Sequence, residues 1–501
     1  MSENEKTITK PGWKAMVFRI LFFLLGNMVI VAGLWQQEHF KGISIAAMVF
    51  QIQVPMVGAD QGIFTTLFVD LAVKAPFFTA IQILLGILWR RLTTKCRFLH
   101  EHIVLPAVIW FAGATIAVCA IIGVFGYLRL IIRPSHIYED YYVDPATVSV
   151  KAPEKPRNLI YIYLESMEVT FADESVGGAA DGNRIPFLTK LALTEGESFS
   201  TDGKLNGLYP MEGAVMTSGS IVAQMTGVPL IVSVKPNAMG RYTSFLDGAY
   251  SIGQVLEKFG YQNLFMQGSQ IQFAGKDRFF ASHGDYQIRD YTYYNEHQRL
   301  PYFWYNVWWG FEDFRLYEFA KEEILTAATA DKPFVASILT VDTHCMDGYI
   351  CPLCGDEYEE QYDNVFRCAD RQVEEFITWL QAQDFYENTT VIIVGDHPTM
   401  DSRYYSVLSH GNESYQRKAY TVILNSAVEY KLNKTRKYSA LDMYPTTLAA
   451  MGFEIPGNRL GLGVNLYSDE ETLVEKMGLE KLNKELLKHS KYYNKHIIEG
   501  K

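Results

Sequence analysis

Four residues of this chain have types and settings that could do chemistry together: Glu165, Thr217, Asp396 and His397. Glu165 ends the apolar run Asn158-Leu-Ile-Tyr-Ile-Tyr-Leu164, and Asp396-His397 end a second run, Thr390-Val-Ile-Ile-Val-Gly395. Acidic and imidazole groups at the C-terminal ends of buried strands stand where open α/β sheets place their ligands. As donors, Glu, Asp and His are hard to borderline and suit a divalent metal ion. Thr217 precedes Ser218-Gly-Ser-Ile-Val-Ala-Gln-Met225, where apolar periodicity begins. Taken alone, it reads as a helix N-cap. Beside the other three it reads as a nucleophile, because a helix N-terminus favours an alkoxide and binds phosphate. A coordinated cation would lower the hydroxyl pKa further. The set indicates a metalloenzyme.

These residues need a scaffold, and the chain supplies one beyond Pro134. Apolar strands at 158–165, 263–267, 334–341, 390–394 and 420–424 alternate with amphipathic stretches. Such alternation predicts an α/β domain with a mainly parallel sheet flanked by helices. Residues 134–157, rich in Pro, Asp, Glu and Lys, read as a linker; 158–468 form the catalytic domain, and 469–501 a helical tail.

The 501 residues are 49% hydrophobic, and the excess lies before residue 133. Three stretches there are long and apolar enough to cross a bilayer: 14–35, 71–89 and 103–128. Residues 43–58, interrupted by Pro55, read as an interfacial or re-entrant segment. Lys6, Lys10, Lys14 and Arg19 flank the first span, and Arg90, Arg91, Lys95 and Arg97 fill the loop before the third. The positive-inside rule puts both clusters in the cytoplasm and everything after about residue 133 outside. A multi-pass protein of the inner or plasma membrane is expected. The net charge of −11 argues against a nucleic-acid partner, since phosphate backbones need a basic surface.

Of six cysteines, Cys96 and Cys119 fall in the expected cytoplasmic loop and a span, while Cys345, Cys351, Cys354 and Cys368 crowd together in the outer domain. Cys351-Pro-Leu-Cys354 could be half of a zinc site, but no second pair or histidine follows at ligand spacing. A disulfide-pinned loop is the simpler reading in an oxidising compartment.

The motifs together resemble the membrane phosphoglycerol transferases of the alkaline phosphatase and sulfatase superfamily, which include lipoteichoic acid synthases. The resemblance spans Asn158 to Leu466. It rests on Tyr163-Leu-Glu165-Ser, on Thr217 followed by Ile221-Val-Ala-Gln-Met-Thr-Gly-Val-Pro-Leu230, and on Gln267-Gly with Phe273-Ala-Gly-Lys276-Asp277. Thr340-Val-Asp342-Thr343-His344, Gly395-Asp396-His397 and Leu460-Gly-Leu-Gly463 complete it. The resemblance implies that Glu165, Thr217, Asp396 and His397 hold a divalent cation, Mn²⁺ first, with Mg²⁺ and Zn²⁺ as alternatives. It makes Thr217 the nucleophile that carries phosphoglycerol covalently. Lys276, Asp277 and His344 would meet the substrate, although His344 could instead cap its strand. Lipoteichoic acid synthases have an arginine where Lys276 stands, so a bidentate grip on phosphate is lost. Cys354 and Cys368 fall where the family has a loop disulfide, leaving Cys345 and Cys351 for a second.

The resemblance further implies a phosphatidylglycerol donor in the membrane and an extracytoplasmic glycan as acceptor, with a growing glycerol-phosphate polymer and water as the alternatives. No Cys or Ser-x-Pro-x-Arg segment lies near Thr217, so the formylglycine of true sulfatases is not expected. Phosphoethanolamine transferases share the threonine chemistry, but Thr340-Val-Asp-Thr-His344 and Gly275-Lys-Asp277 favour the glycerol branch. A non-enzymatic membrane-tethered binding module would predict gaps among these positions, and there are none.

Overall fold

The computed structural model describes residues 12–53, 62–92, 102–231, 246–412 and 414–501. The chain divides into two compact units, Met1–Ile45 with Asp60–Arg129, and Ala46–Ala59 with Leu130–Lys501. Lys6, Lys10, Lys95, Arg97, Cys96 and residues 54–58 with Pro55 lie outside the described residues.

In the first unit, the helix Trp13–His39 and the stretch Thr65–Trp89 of helix Gly62–Leu92 are long and apolar enough to cross a membrane. Phe68, Val73, Phe77, Leu84 and Leu85 are all exposed, as lipid-facing positions would be. Inside the unit, the Asn27 amide donates to Thr79 Oγ1 and Gln82 Oε1, both at 2.9 Å, and accepts from Trp110 Nε1 at 3.1 Å. A polar group with these partners holds apolar helices together where the hydrophobic effect between them is weak. The third expected span departs from a straight rod. Helices Leu105–Ile121 and Val124–Ile131 meet at a 68° bend beside Gly123, whose φ of +86° only glycine adopts without cost. Ile45–Gln53 is a helix of nine residues, about 14 Å long and too short to span.

The second unit is built on a seven-stranded sheet: β1 (Asn158–Leu164), β2 (Gly207–Leu208), β3 (Gln262–Gln267), β4 (Gln287–Arg289), β5 (Phe334–Leu339), β6 (Thr389–Gly395) and β7 (Ala419–Leu424). Their order is β2-β7-β6-β1-β5-β3-β4. The five strands from β6 to β4 run parallel, and β7 and β2 add an antiparallel edge. Strands β5, β6 and β7 are buried at every position, as expected of a sheet covered on both faces. Ile160, Ile162 and Leu164 share one core with Val365, Phe366, Val373 and Phe376 of the helix Gln361–Gln381. On the opposite face, Tyr161 reaches the helix Thr217–Thr226 through a 2.6 Å bond to Gln224.

Residues 134–157 do not stand free as a linker. They run along this unit, with Ile137 and Tyr138 buried and bridges at Pro134–His489, Val143–Gly461 and Lys151–Glu454. The apolar pair carries that packing, which the surrounding Pro and charged residues obscure in the sequence. The tail forms the expected helices, with Leu482 and Leu486 buried.

The register places the site. Leu164 pairs with Gly395, and Tyr163 with Leu339, so β1, β5 and β6 end in one row. At that edge the backbone is crowded: a Cβ on Gly395 would sit 1.7 Å from the Met167 carbonyl oxygen. Gly395→Ala should therefore destabilise the domain by about 3 kcal/mol or more, read as a lowered thermal midpoint in detergent. A midpoint unchanged from wild type would refute this close approach.

Candidate active site

Glu165, Asp396 and His397 leave the ends of β1 and β6 and turn into one buried cluster, with their ligand atoms within 4.8 Å of one another. The backbone bends sharply to bring them there. Ser166 takes a left-handed φ of +54°, and its N–H donates to Asp396 Oδ1 at 2.8 Å. His397 N–H donates to the same oxygen at 2.8 Å. Ser166 Oγ holds Glu165 Oε1 at 2.9 Å, and Thr343 Oγ1 holds the Glu165 carbonyl at 2.6 Å. His397 Nδ1 donates to the Pro398 carbonyl at 3.0 Å, which fixes the ring and leaves Nε2 as the inward donor atom. That nitrogen lies 3.5 Å from Glu165 Oε1 and 3.4 Å from Asp396 Oδ2.

Thr217 comes from the other side. It is the first residue of the helix Thr217–Thr226, and the cap position belongs to Met216, in extended backbone without a side-chain cap bond. The hydroxyl is turned away from capping. It donates to Glu165 Oε2 at 3.0 Å and lies 3.4 Å from His397 Nε2. The N-cap reading is thus displaced by tertiary contacts. Thr217 is half-buried, while the neighbouring Ser218 and Ser220 are buried.

The charges fit a cation. Burial, reinforced by the Glu165 carboxylate, pushes Asp396 up to about 7. Burial works against ionised Glu165 too, but His344 and His397 hold its carboxyl below the usual range. Burial opposes the imidazolium of His397, yet Asp396 and Glu165 raise it above its ordinary value. Asp396 Oδ2 is buried with no hydrogen-bond partner. Two buried carboxylates facing one imidazole nitrogen, one of them with an orphaned oxygen, match an oxygen and nitrogen site for a divalent metal.

Lys276 begins the helix Lys276–Ser282 after a left-handed turn at Ala274 and Gly275. It is buried, which lowers its ammonium to about 8 against the opposing pull of Glu165, Asp396 and Asp277. Asp277 is half-buried beside it and outside the ligand cluster. His344 follows β5 and donates from Nδ1 to the Cys345 carbonyl at 2.6 Å, leaving Nε2 for exchange. Burial lowers it, partly offset by Glu165. Its ring packs 4.6 Å from Trp309. No sulfur–sulfur bond joins the described cysteines: the expected Cys354–Cys368 bridge is not formed, and Cys345, Cys351, Cys354 and Cys368 are free.

Sequence reasoning passed over the residues behind the site. Ser220 Oγ donates to the Asp396 carbonyl, Gln224 to Ser220 at 2.9 Å, and Tyr161 to Gln224 at 2.6 Å. The helical spacing of Ser220 and Gln224 was the available signal. Glu168 accepts two bonds from Arg417 and one, at 3.1 Å, from the Thr399 N–H, bracing the His397 loop. Nothing in the sequence pairs those residues. Trp308 and Trp309 flank His344, a contact that no sequence spacing signals.

This arrangement has relatives. The chain is 31% identical over 374 residues to phosphoglycerol transferase I of Xanthomonas campestris, covering 70% of this chain and 50% of that protein. It is 27% identical over 485 residues to phosphoglycerol transferase I of Salmonella choleraesuis, covering 92% and 58%. The chain thus spans only about half the length of the curated relatives it matches. Among solved structures, the lipoteichoic acid synthase LtaP of Listeria monocytogenes shares the fold with a TM-score of 0.51 at 16% identity, covering 66% of this chain and 81% of that one. The family model described as Sulfatase matches residues 157–453. That stretch is more than half of the chain and contains Glu165, Thr217, Asp396 and His397, so the chain belongs to the sulfatase family.

Proposed function

We propose that this protein is a membrane-bound, metal-dependent transferase. It moves phosphoglycerol from phosphatidylglycerol to an extracytoplasmic glycan through a covalent intermediate on Thr217. The observation that carries the reading is the half-buried Thr217 hydroxyl bonded at 3.0 Å to Glu165, beside His397 and Asp396. Similarity to proteins named phosphoglycerol transferase I supports the transferred group. The two apolar N-terminal helices suit a lipid donor and a diacylglycerol product that both stay in the bilayer. With the basic clusters inside, the catalytic unit lies outside the membrane.

Glu165, Asp396, His397 and the Thr217 oxygen would hold the cation, Mn²⁺ being our first choice. When bound, the ion would lower the pKa of the hydroxyl and neutralise charge on the phosphate. The residues do the rest. The Thr217 proton already points at Glu165 Oε2, and the helix N-terminus receives the phosphate oxygens. Lys276 adds a compact positive charge to the phosphodiester, and the Asp277 carboxylate beside it favours the charged form. Thr217 Oγ1 passes its proton to Glu165 Oε2 and bonds to phosphorus, and the bond to the diacylglycerol oxygen breaks. His344, entering as the imidazolium, gives that oxygen its Nε2 proton and, now neutral, takes one from the acceptor hydroxyl. The acceptor oxygen attacks phosphorus and Thr217 leaves, recovering its proton from Glu165, so one difficult transfer is split into two displacements.

Thr217→Ala should lower transfer roughly 10³-fold or more. It should shift stability by no more than about 1 kcal/mol, since the hydroxyl caps nothing. Thr217→Ser should retain measurable turnover. With the acceptor withheld, phosphatidylglycerol should leave a glycerol-phosphate mass on the Thr217 peptide; an adduct on Ser218 or Ser220 instead would move the nucleophile.

Asp396→Asn and His397→Ala should lose both turnover and the bound divalent ion, measured by elemental mass spectrometry. Full turnover after chelation would defeat the metal assignment. Lys276→Met should lower kcat/KM for the lipid donor roughly 10- to 100-fold, the worth of a hydrogen bond to a charged group. Lys276→Arg should restore part of it.

A further inference from the structure

Three thiols converge at the base of the loop that follows His344, away from the Glu165 cluster. Cys351 and Cys354 end the tight turn Cys351-Pro-Leu-Cys354, closed by the Cys354 N–H on the Cys351 carbonyl at 3.0 Å. Cys368 comes from the helix Gln361–Gln381. Cys351 Sγ lies 3.6 Å from Cys354 Sγ and 3.8 Å from Cys368 Sγ, and all three sulfurs fall within 4.8 Å of one another. A disulfide would bring two of them to about 2.05 Å. Thiolates bound tetrahedrally to zinc at about 2.3 Å stand about 3.8 Å apart along each edge. The observed separations are those of the tetrahedral edge.

A second observation points the same way. Gln372 lies one helical turn after Cys368, on the same face. Its side-chain nitrogen is 3.3 Å from Cys368 Sγ and 3.7 Å from Cys351 Sγ. Its Oε1 is buried with no hydrogen-bond partner, and the residue is 6% exposed. Turning the amide over exchanges oxygen for nitrogen and aims the orphaned oxygen at the three sulfurs. Cys351 and Cys368 are each 2% exposed and Cys354 is half-buried, so two of the three sulfurs are shielded from solvent, as in structural zinc sites. Arg371 interacts with the Cys368 sulfur and places a positive charge beside it.

We propose that Cys351, Cys354 and Cys368 hold a structural Zn²⁺ ion, with the Gln372 side-chain oxygen in the fourth position. Binding releases the thiol protons to solvent and needs no oxidant. The ion ties the loop after His344 to the long helix, a role for these cysteines different from the loop disulfide. It is separate from the catalytic cation and stands whether or not the proposed transfer is correct.

The test uses the full chain purified in detergent, anaerobically and without chelator. One zinc equivalent should remain in Asp396→Asn, where the catalytic cation is lost, and disappear in Cys368→Ser. Exchange with Co²⁺ should give wild type and Asp396→Asn an intense sulfur-to-cobalt charge-transfer band in the near ultraviolet. Gln372→Ala should keep that band but weaken zinc binding by at least about tenfold. Alkylation should spare Cys351, Cys354 and Cys368 until a chelator strips the metal. If Cys368→Ser does not fold, the cobalt band and the alkylation pattern of wild type still decide. A disulfide between any two of the three thiols in the purified protein, or a cobalt complex without the charge-transfer band, overturns the proposal.

Discussion

The structure depends on a conflict at the end of two neighbouring parallel strands. The β1–β6 register, with Leu164 opposite Gly395, delivers Glu165 and Asp396 to the same buried spot. Two carboxylates there repel each other and have lost their water, and an effective penalty of several kcal/mol per ion is usual for such burial. The sheet beneath them supplies the compensation. Ile160, Ile162, Leu164, Val391, Ile393, Val422 and Leu424 are all essentially inaccessible, and each such side chain stabilises by about 1.5–3 kcal/mol. Burial of this kind opposes the cost of holding the two carboxylates at the site. The cluster remains short of positive charge, and its unpartnered Asp396 oxygen is where that shortage is visible.

Much of the remaining architecture keeps that cluster from relaxing. Backbone N–H groups of Ser166 and His397 both grip one Asp396 oxygen, leaving the other to face inward. The Ser220–Gln224–Tyr161 chain links the Asp396 carbonyl to the helix Thr217–Thr226 and to β1. One set of bonds thus spaces Thr217 and the Asp396 backbone together. Behind His397, buried Glu168 meets half-buried Arg417 in a two-point ion pair, a geometry that helps such a pair offset its own desolvation.

The long apolar strands were legible because burial on both faces leaves an unbroken run of Ile, Val, Leu and Tyr, and a carboxylate ending such a run stands out. The short edge strands β2 and β4 were not, since two or three residues carry no periodicity. The Thr217 helix is legible as an element, but whether its first hydroxyl caps the helix or faces Glu165 is not, because only tertiary contacts reveal where a hydroxyl points. Lys276 was found as a residue in a motif, but its burial among acidic groups was not legible. The bend at Gly123 and the packed stretch 134–157 show the same limit. One glycine in an uncharged run, or one Ile-Tyr pair among prolines and charges, does not announce its geometry.

The pairing of β1 with β6 has a consequence for how the molecule forms. Ser166 and Asp396 touch across 230 residues of chain, and Thr217 joins them from a third place. Contacts so distant in sequence are made late and slowly, because the entropy of closing the loop is spent before any contact is gained. No local fragment carries more than Asp396 and His397; Glu165 and Thr217 come from distant parts of the chain. While β6 is still searching for its partner, the apolar edge of β1 stays open, the condition under which other chains can pair with it. The geometry that makes the site exclusive to the completed fold also makes the incomplete fold prone to aggregation.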